Sequence, residues 1–187
     1  DNDPNSEKVG EIYIEMAKSG TTNGKAQTLG LFLLNQNLDV LNTDPNVGIQ
    51  PTMPSEYALN GTNYTFQRLN IHPKTGDLVF SYGISSKPAV FAIDRENMTG
   101  SVTNLLDGIT GLTKTVAHCF DAEGTLYVMD IASSKGTIYK IKDGIKTVFA
   151  ATTGRFVSSN ITMEADGRGG RWVAQYRGQI DAYYQLV

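Results

Sequence analysis

Ala117-His-Cys-Phe-Asp-Ala-Glu-Gly124-Thr-Leu-Tyr-Val128 reads as an apolar strand, a tight turn and a second apolar strand. The turn needs a residue with positive φ, which glycine supplies without steric cost. Gly136-Thr-Ile-Tyr-Lys-Ile141 follows with the alternation of a third strand, and residues 147–151 extend a fourth. Residues 113–151 thus encode one sheet of short antiparallel strands.

The same grammar recurs on either side. Before it stands Leu69-Asn-Ile-His-Pro-Lys-Thr-Gly76-Asp-Leu-Val-Phe80, then Pro88-Ala-Val-Phe-Ala-Ile93 and a fourth strand at 102–106. After it stands Thr162-Met-Glu-Ala-Asp-Gly-Arg-Gly169-Gly-Arg-Trp-Val173, then Ile180-Asp-Ala-Tyr-Tyr-Gln-Leu186. The turn glycines are spaced 124 − 76 = 48 and 169 − 124 = 45 residues apart, within the roughly 40–50 residues of a four-stranded propeller blade. Aligned without gaps on these glycines, Asn70, His118 and Met163 are equivalent, as are Ile71, Cys119 and Glu164. The beginning of the chain is a looser copy. Residues 11–17 and 25–34 read as strands joined by Ser19-Gly-Thr-Thr-Asn-Gly24. Residues 42–61, with Pro45, Pro51 and Pro54, read as a long surface loop, since proline removes ladder donors.

The expected fold is all-β, with β-propeller blades of antiparallel strands numbering about four. A flexible segment spans 1–9 and a loose blade 10–61, with further blades at about 64–108, 113–151 and 155–187. The chain stops on Gln185-Leu-Val187, inside an apolar run. A segment of a larger ring is therefore favoured over a compact four-bladed ring or a half-ring completed by assembly with another chain.

Composition narrows the function classes. Of 187 residues, 40% are hydrophobic and 19% charged, an ordinary balance for a soluble globular protein. The net charge is −3 and no Lys/Arg cluster interleaves with aromatics, which argues against a nucleic-acid partner. The longest apolar run, 29–34, falls far short of the roughly 20 residues of a transmembrane segment. Cys119 is the only cysteine, so neither an intrachain disulfide nor a thiolate metal cluster forms within one chain. The chain opens on Asp-Asn-Asp-Pro-Asn-Ser-Glu without Met, as a trimmed exported product would. The expected localisation is extracellular, periplasmic or outer-surface.

Phe120-Asp-Ala-Glu-Gly-Thr-Leu-Tyr-Val128 resembles the inner hairpin of NHL-repeat and gluconolactonase-like β-propellers. Asp166-Gly-Arg-Gly-Gly-Arg-Trp-Val-Ala174 is similar to a variant of the same hairpin, and the resemblance covers residues 64–187. The Asn- and Tyr-rich texture and polar start also resemble uncharacterised secreted propeller lipoproteins of Bacteroidetes. The first resemblance implies a ligand site near the axis, where gluconolactonase-like enzymes hold a divalent cation with Glu, Asn and Asp side chains. Glu164, Asn70 and Asn160 supply such types. No cofactor is firmly implied. Ca²⁺ is the ion that an oxygen-rich set would suit.

Two groups of residues carry the candidate chemistry. Arg171, Trp172, Gln175, Tyr176, Arg177 and Tyr183 gather in the last repeat. Aromatic faces beside amide and guanidinium groups suit a carbohydrate or a protein ligand. Asn70, His118 and Glu164 are the axial candidates, on inner strands of three repeats. His118 and Cys119 make no thiol–imidazole dyad, because adjacent strand residues point to opposite faces. Gly167-Arg-Gly-Gly170 lacks the Lys and Ser/Thr of a phosphate loop and reads as a hairpin turn. The expected function is an exported binding or scaffold module that recognises a protein or glycan through loops at one end of the ring. The alternative is a metal-dependent, lactonase-like hydrolase with an axial site.

Overall fold

The computed structural model describes residues 12–16, 20–22, 25–27, 30–57, 66–82, 87–133, 135–155, 161–165, 171–176 and 180–186. Side chains are described for Tyr13 and for 30–57, 68–81, 87–133, 135–151 and 161–165. The regular structure of these residues is entirely β. At the start lie β1 (Ile12–Met16), β2 (Gly20–Thr22), β3 (Lys25–Gln27) and β4 (Gly30–Leu34). The next antiparallel sheet is β5 (Phe66–Ile71), β6 (Leu78–Tyr82), β7 (Ala89–Ile93) and β8 (Thr103–Asn104), paired in chain order. The third is β9 (Thr115–Phe120), β10 (Leu126–Ala132), β11 (Lys135–Lys142) and β12 (Ile145–Arg155), also paired in order. The last is β13 (Ile161–Ala165), β14 (Arg171–Tyr176) and β15 (Ile180–Leu186).

The hairpin that opened the sequence reading folds for the reasons its residues suggest. Gly124 has φ +79° and Gly76 has φ +76°. Asp121 fastens the turn of the third sheet: its Oδ1 accepts the Thr125 N–H at 2.8 Å and its Oδ2 accepts the Tyr127 hydroxyl at 3.2 Å. Short polar side chains that bond to backbone two to four residues on favour turns for this reason.

The first strands of the sheets pack in sequence, β1 on β5, β5 on β9 and β9 on β13. They form the inner edge of an arc of successive sheets, and the core lies between sheets rather than within any one. Leu31, Leu78, Phe80, Phe91 and Ile93 fill the first interface. Val79, Val90, Leu106, Leu126, Val128 and Ile141 fill the second. Ala117, Cys119, Tyr127, Met129, Ile138, Ile161 and Met163 fill the third. Strands β7 and β9 are buried almost throughout, as a sheet covered on both faces requires.

The first sheet departs from expectation. Residues 25–34 are not one strand. β2 and β3 pair as a small hairpin, and β1 pairs with β4. Gly30 marks the break, with φ +140° and a backbone so close to Ile49 that a Cβ would lie 2.5 Å from its carbonyl oxygen. The proline-rich stretch is also more than a surface loop. Leu31 and Ile49 exchange backbone bonds at 2.8 Å, and Thr52 bridges to Ser101. Asn42 accepts the Leu33 N–H at 3.0 Å and donates to the Val47 carbonyl at 2.9 Å. Ile49, Met53 and Tyr57 then pack on the first interface. Residues 1–9 lie outside the described residues. No helix among the described residues is long and apolar enough to cross a membrane.

Candidate functional site

The inner edge is read from strand register. Asn70 pairs with Val79, Cys119 with Tyr127 and Glu164 with Trp172. Val79 and Tyr127 both belong to the face turned toward the following sheet, so Asn70, Cys119 and Glu164 are the equivalent positions. Leu69, His118 and Met163, opposite Phe80, Val128 and Val173, form the other row. The gapless alignment, which equated Asn70 with His118, is therefore off by one. The cause is the turn of the second sheet: 72–77 separates β5 from β6, whereas 121–125 separates β9 from β10. One extra residue moves every side chain of β5 to the opposite row.

This correction rearranges the axial candidates. His118 does not open onto the axis. It is 1% exposed, in the interface between the second and third sheets, with its ring 6.2 Å from that of Phe120. Neither ring nitrogen has a hydrogen-bond partner. Burial lowers its pKa to about 4; the Val79 carbonyl, near but outside hydrogen-bond geometry, works the other way, and the charge of Arg68 adds to the lowering. Cys119 points away from His118 into the next interface.

Asn70 and Glu164, by contrast, come together, the Asn70 amide acting on the Glu164 carboxyl from β5 to β13. Glu164 keeps surface accessible to water, yet the protein around it thins its hydration and raises its pKa. Arg68 and the Asn70 amide both favour its charged form. Sequence reading missed Arg68. It has φ +60° and sits at the register break between Gln67 and Leu69, and its Nε donates to the Ile161 carbonyl of β13. Nothing in Phe-Gln-Arg-Leu-Asn-Ile announces that bulge.

A second feature lies at the turn end. Between the second and third sheets opens a cavity of about 510 Å³. Leu105, Phe120, Leu126 and Ile141 supply apolar lining, and Lys74, Glu123, Lys142 and Asp143 supply charge of both signs. His72 forms one wall. Its Nδ1 accepts the N–H groups of Lys74 and Thr75 at 3.3 and 3.1 Å, which fixes the neutral Nε2–H tautomer toward the Gly124 carbonyl. Its ring meets Phe120 edge-on at 4.7 Å. Burial lowers its pKa and Lys74 lowers it further, against the opposing pull of Asp77 and the Gly124 carbonyl. The lysines that line this cavity stand in turns and at a strand end, where sequence alone reads them as solvated.

The candidates of the last repeat divide between the two faces of the sheet. Trp172 pairs with Glu164 and Gln185, and Tyr183 with Ala174. Arg171 pairs with Ala165 and Gln175 with Ile161, on the alternate rows. Tyr176 follows a bulge opposite Ile180. Arg177 and Asn160 lie outside the described residues. Among the described residues there is no group of three or more His, Cys, Asp or Glu that could hold a metal ion.

No known family description matches the sequence, and no curated protein does. Among solved structures the chain is similar to regucalcin of Agrobacterium tumefaciens, a calcium-binding protein, at 18% identity and a TM-score of 0.52. The match covers 93% of this chain and 61% of that one, so the chain spans less than two thirds of the neighbour's length. This likeness concerns the fold alone. With the all-β sheets it supports a propeller-like architecture of antiparallel blades.

Proposed function

We propose that the chain is an exported propeller-type binding module that recognises a protein or glycan at the turn end of its blades. The observation that carries this reading is the cavity of about 510 Å³ between the second and third sheets. Its size falls in the roughly 300–1,000 Å³ range of small-ligand sites, and its apolar floor with a few polar groups is of their usual kind. Phe120 and Leu126 offer area to an apolar or sugar-ring surface. Lys74, Lys142, Glu123 and Asp143 are placed to orient hydroxyls, carboxylates or amines at the rim. In the last sheet Trp172 and Tyr183 share one face and Arg171 and Gln175 the other, so these four do not form a single second surface.

Metal-dependent hydrolysis on the axis is the other reading, favoured by the approach of Asn70 to Glu164. A resident Ca²⁺ needs about six to eight oxygens. The described donors are one carboxylate and one amide beside a guanidinium, and this set does not fit the ion. No hydrolytic step is built on it.

The test is an amide-detected NMR titration of the chain with a panel of oligosaccharides and peptides. Shifts should cluster on 72–76, 120–126 and 141–145, and Lys142→Ala should weaken the binder about tenfold while Lys114→Ala changes nothing. Shifts confined to β14 and β15 would move the site to the last sheet. Lactone turnover that requires added Ca²⁺ and is lost in Glu164→Gln would reverse the order of the two readings.

A further inference from the structure

Arg68 holds a left-handed backbone conformation inside a strand, with φ +60°. A non-glycine residue keeps such a conformation only where surrounding contacts over-determine it. Here the bulge between Gln67 and Leu69 breaks the register. From the second sheet the side chain donates from Nε to the Ile161 carbonyl on β13, in the fourth. Its charge acts on two groups of neighbouring inner strands, His118 and Glu164. A guanidinium does not lose its proton in a protein, so this positive charge is permanent.

We propose that Arg68 is the resident cation beside Glu164, a built-in counter-ion that balances this carboxylate and ties the second sheet to the fourth, so that the Glu164–Asn70 pair takes no divalent metal ion. Three observations converge on it. The described oxygen donors, Glu164 and Asn70, are too few for a hard cation. A fixed guanidinium beside them repels a second cation, more weakly than in a dry interior because Glu164 keeps contact with water. The bulge gives Arg68 a strained backbone for which its bond to β13 supplies a reason. The inference does not depend on the turn-end cavity and survives if that cavity binds nothing.

Carboxyl-detected NMR of the full chain reads the titration of Glu164 directly. Arg68→Met should raise its midpoint by about one pH unit, a tenfold gain in proton affinity, while Arg68→Lys stays close to the parent. A purely structural arginine would leave all three midpoints alike, and that result overturns the proposal. The parent chain supplies a second test that needs no variant to fold. Added CaCl₂, at the roughly 10⁻³ M where weak extracellular sites fill, should leave the Glu164 carboxyl resonance unmoved. A saturable shift that Glu164→Gln abolishes would overturn the proposal as well.

Discussion

Both ring nitrogens of His118 are buried without a hydrogen-bond partner, a costly arrangement that becomes costlier if the ring is charged. Its pKa of about 4 lies below its ordinary 6.5. Between those values the unfolded chain binds a proton that the folded chain refuses. Stability is therefore full above pH 6.5 and falls as pH drops toward 4, by up to about 3 kcal/mol. His72, also lowered, adds a smaller slope of the same sign. Glu164, raised, works in the opposite sense, because the folded state then holds the proton more tightly. The equivalent positions on β5 and β13 are Leu69 and Met163. His118→Leu should therefore be neutral or stabilising at pH 7.5 and should flatten most of the acid slope in urea unfolding. An unchanged slope would show that His118 is not the group responsible. Alternation along β9 separates His118 from Cys119, but only the packing of Val128, its register partner, shows that His118 faces the second sheet.

At the scale of single elements, the connection from β8 to β9 hangs on Asp130. This β10 residue is 3% exposed and follows a bulge at Met129. Both its oxygens accept the Thr113 N–H at 2.9 Å, and Oδ1 also accepts the Lys114 N–H at 2.6 Å. Without the carboxylate two backbone donors lose their partner in a part-buried loop. Asp130→Ala should cost about 2–4 kcal/mol in chemical unfolding, and Asp130→Asn, which keeps one acceptor, less. Equal midpoints for both variants and the parent would mean that water serves the loop as well. The strands themselves were legible from alternation and from turn glycines. The turn capped by His72 was not, because its extra residue leaves no mark in composition and yet shifts β5 by one place. That slip is why Asn70, and not Ile71, shares a row with Glu164.

For the whole molecule, the decisive fact is that each sheet buries its apolar faces against its neighbours. A blade has little core of its own, so its stability is largely an interface property. Cys119 reports on one such interface: 1% exposed, it packs with Tyr127, Met129, Ile161 and Met163 between the third and fourth sheets. Its thiol should resist a disulfide reagent in the intact chain. Labelling should become at least tenfold faster in a chain truncated at residue 157. Fast labelling of the intact chain would mean that the fourth sheet does not cover the third. The sequence by itself determined the repeat, its period, the all-β class and the positions of the tight turns, because these follow from local φ preference and a two-residue alternation. Only the tertiary structure decided which inner-strand residues share a row, that Arg68 reaches β13, and that turns far apart in sequence enclose a cavity. Those outcomes depend on register and on contacts between sheets, and register changes completely with one residue in a loop.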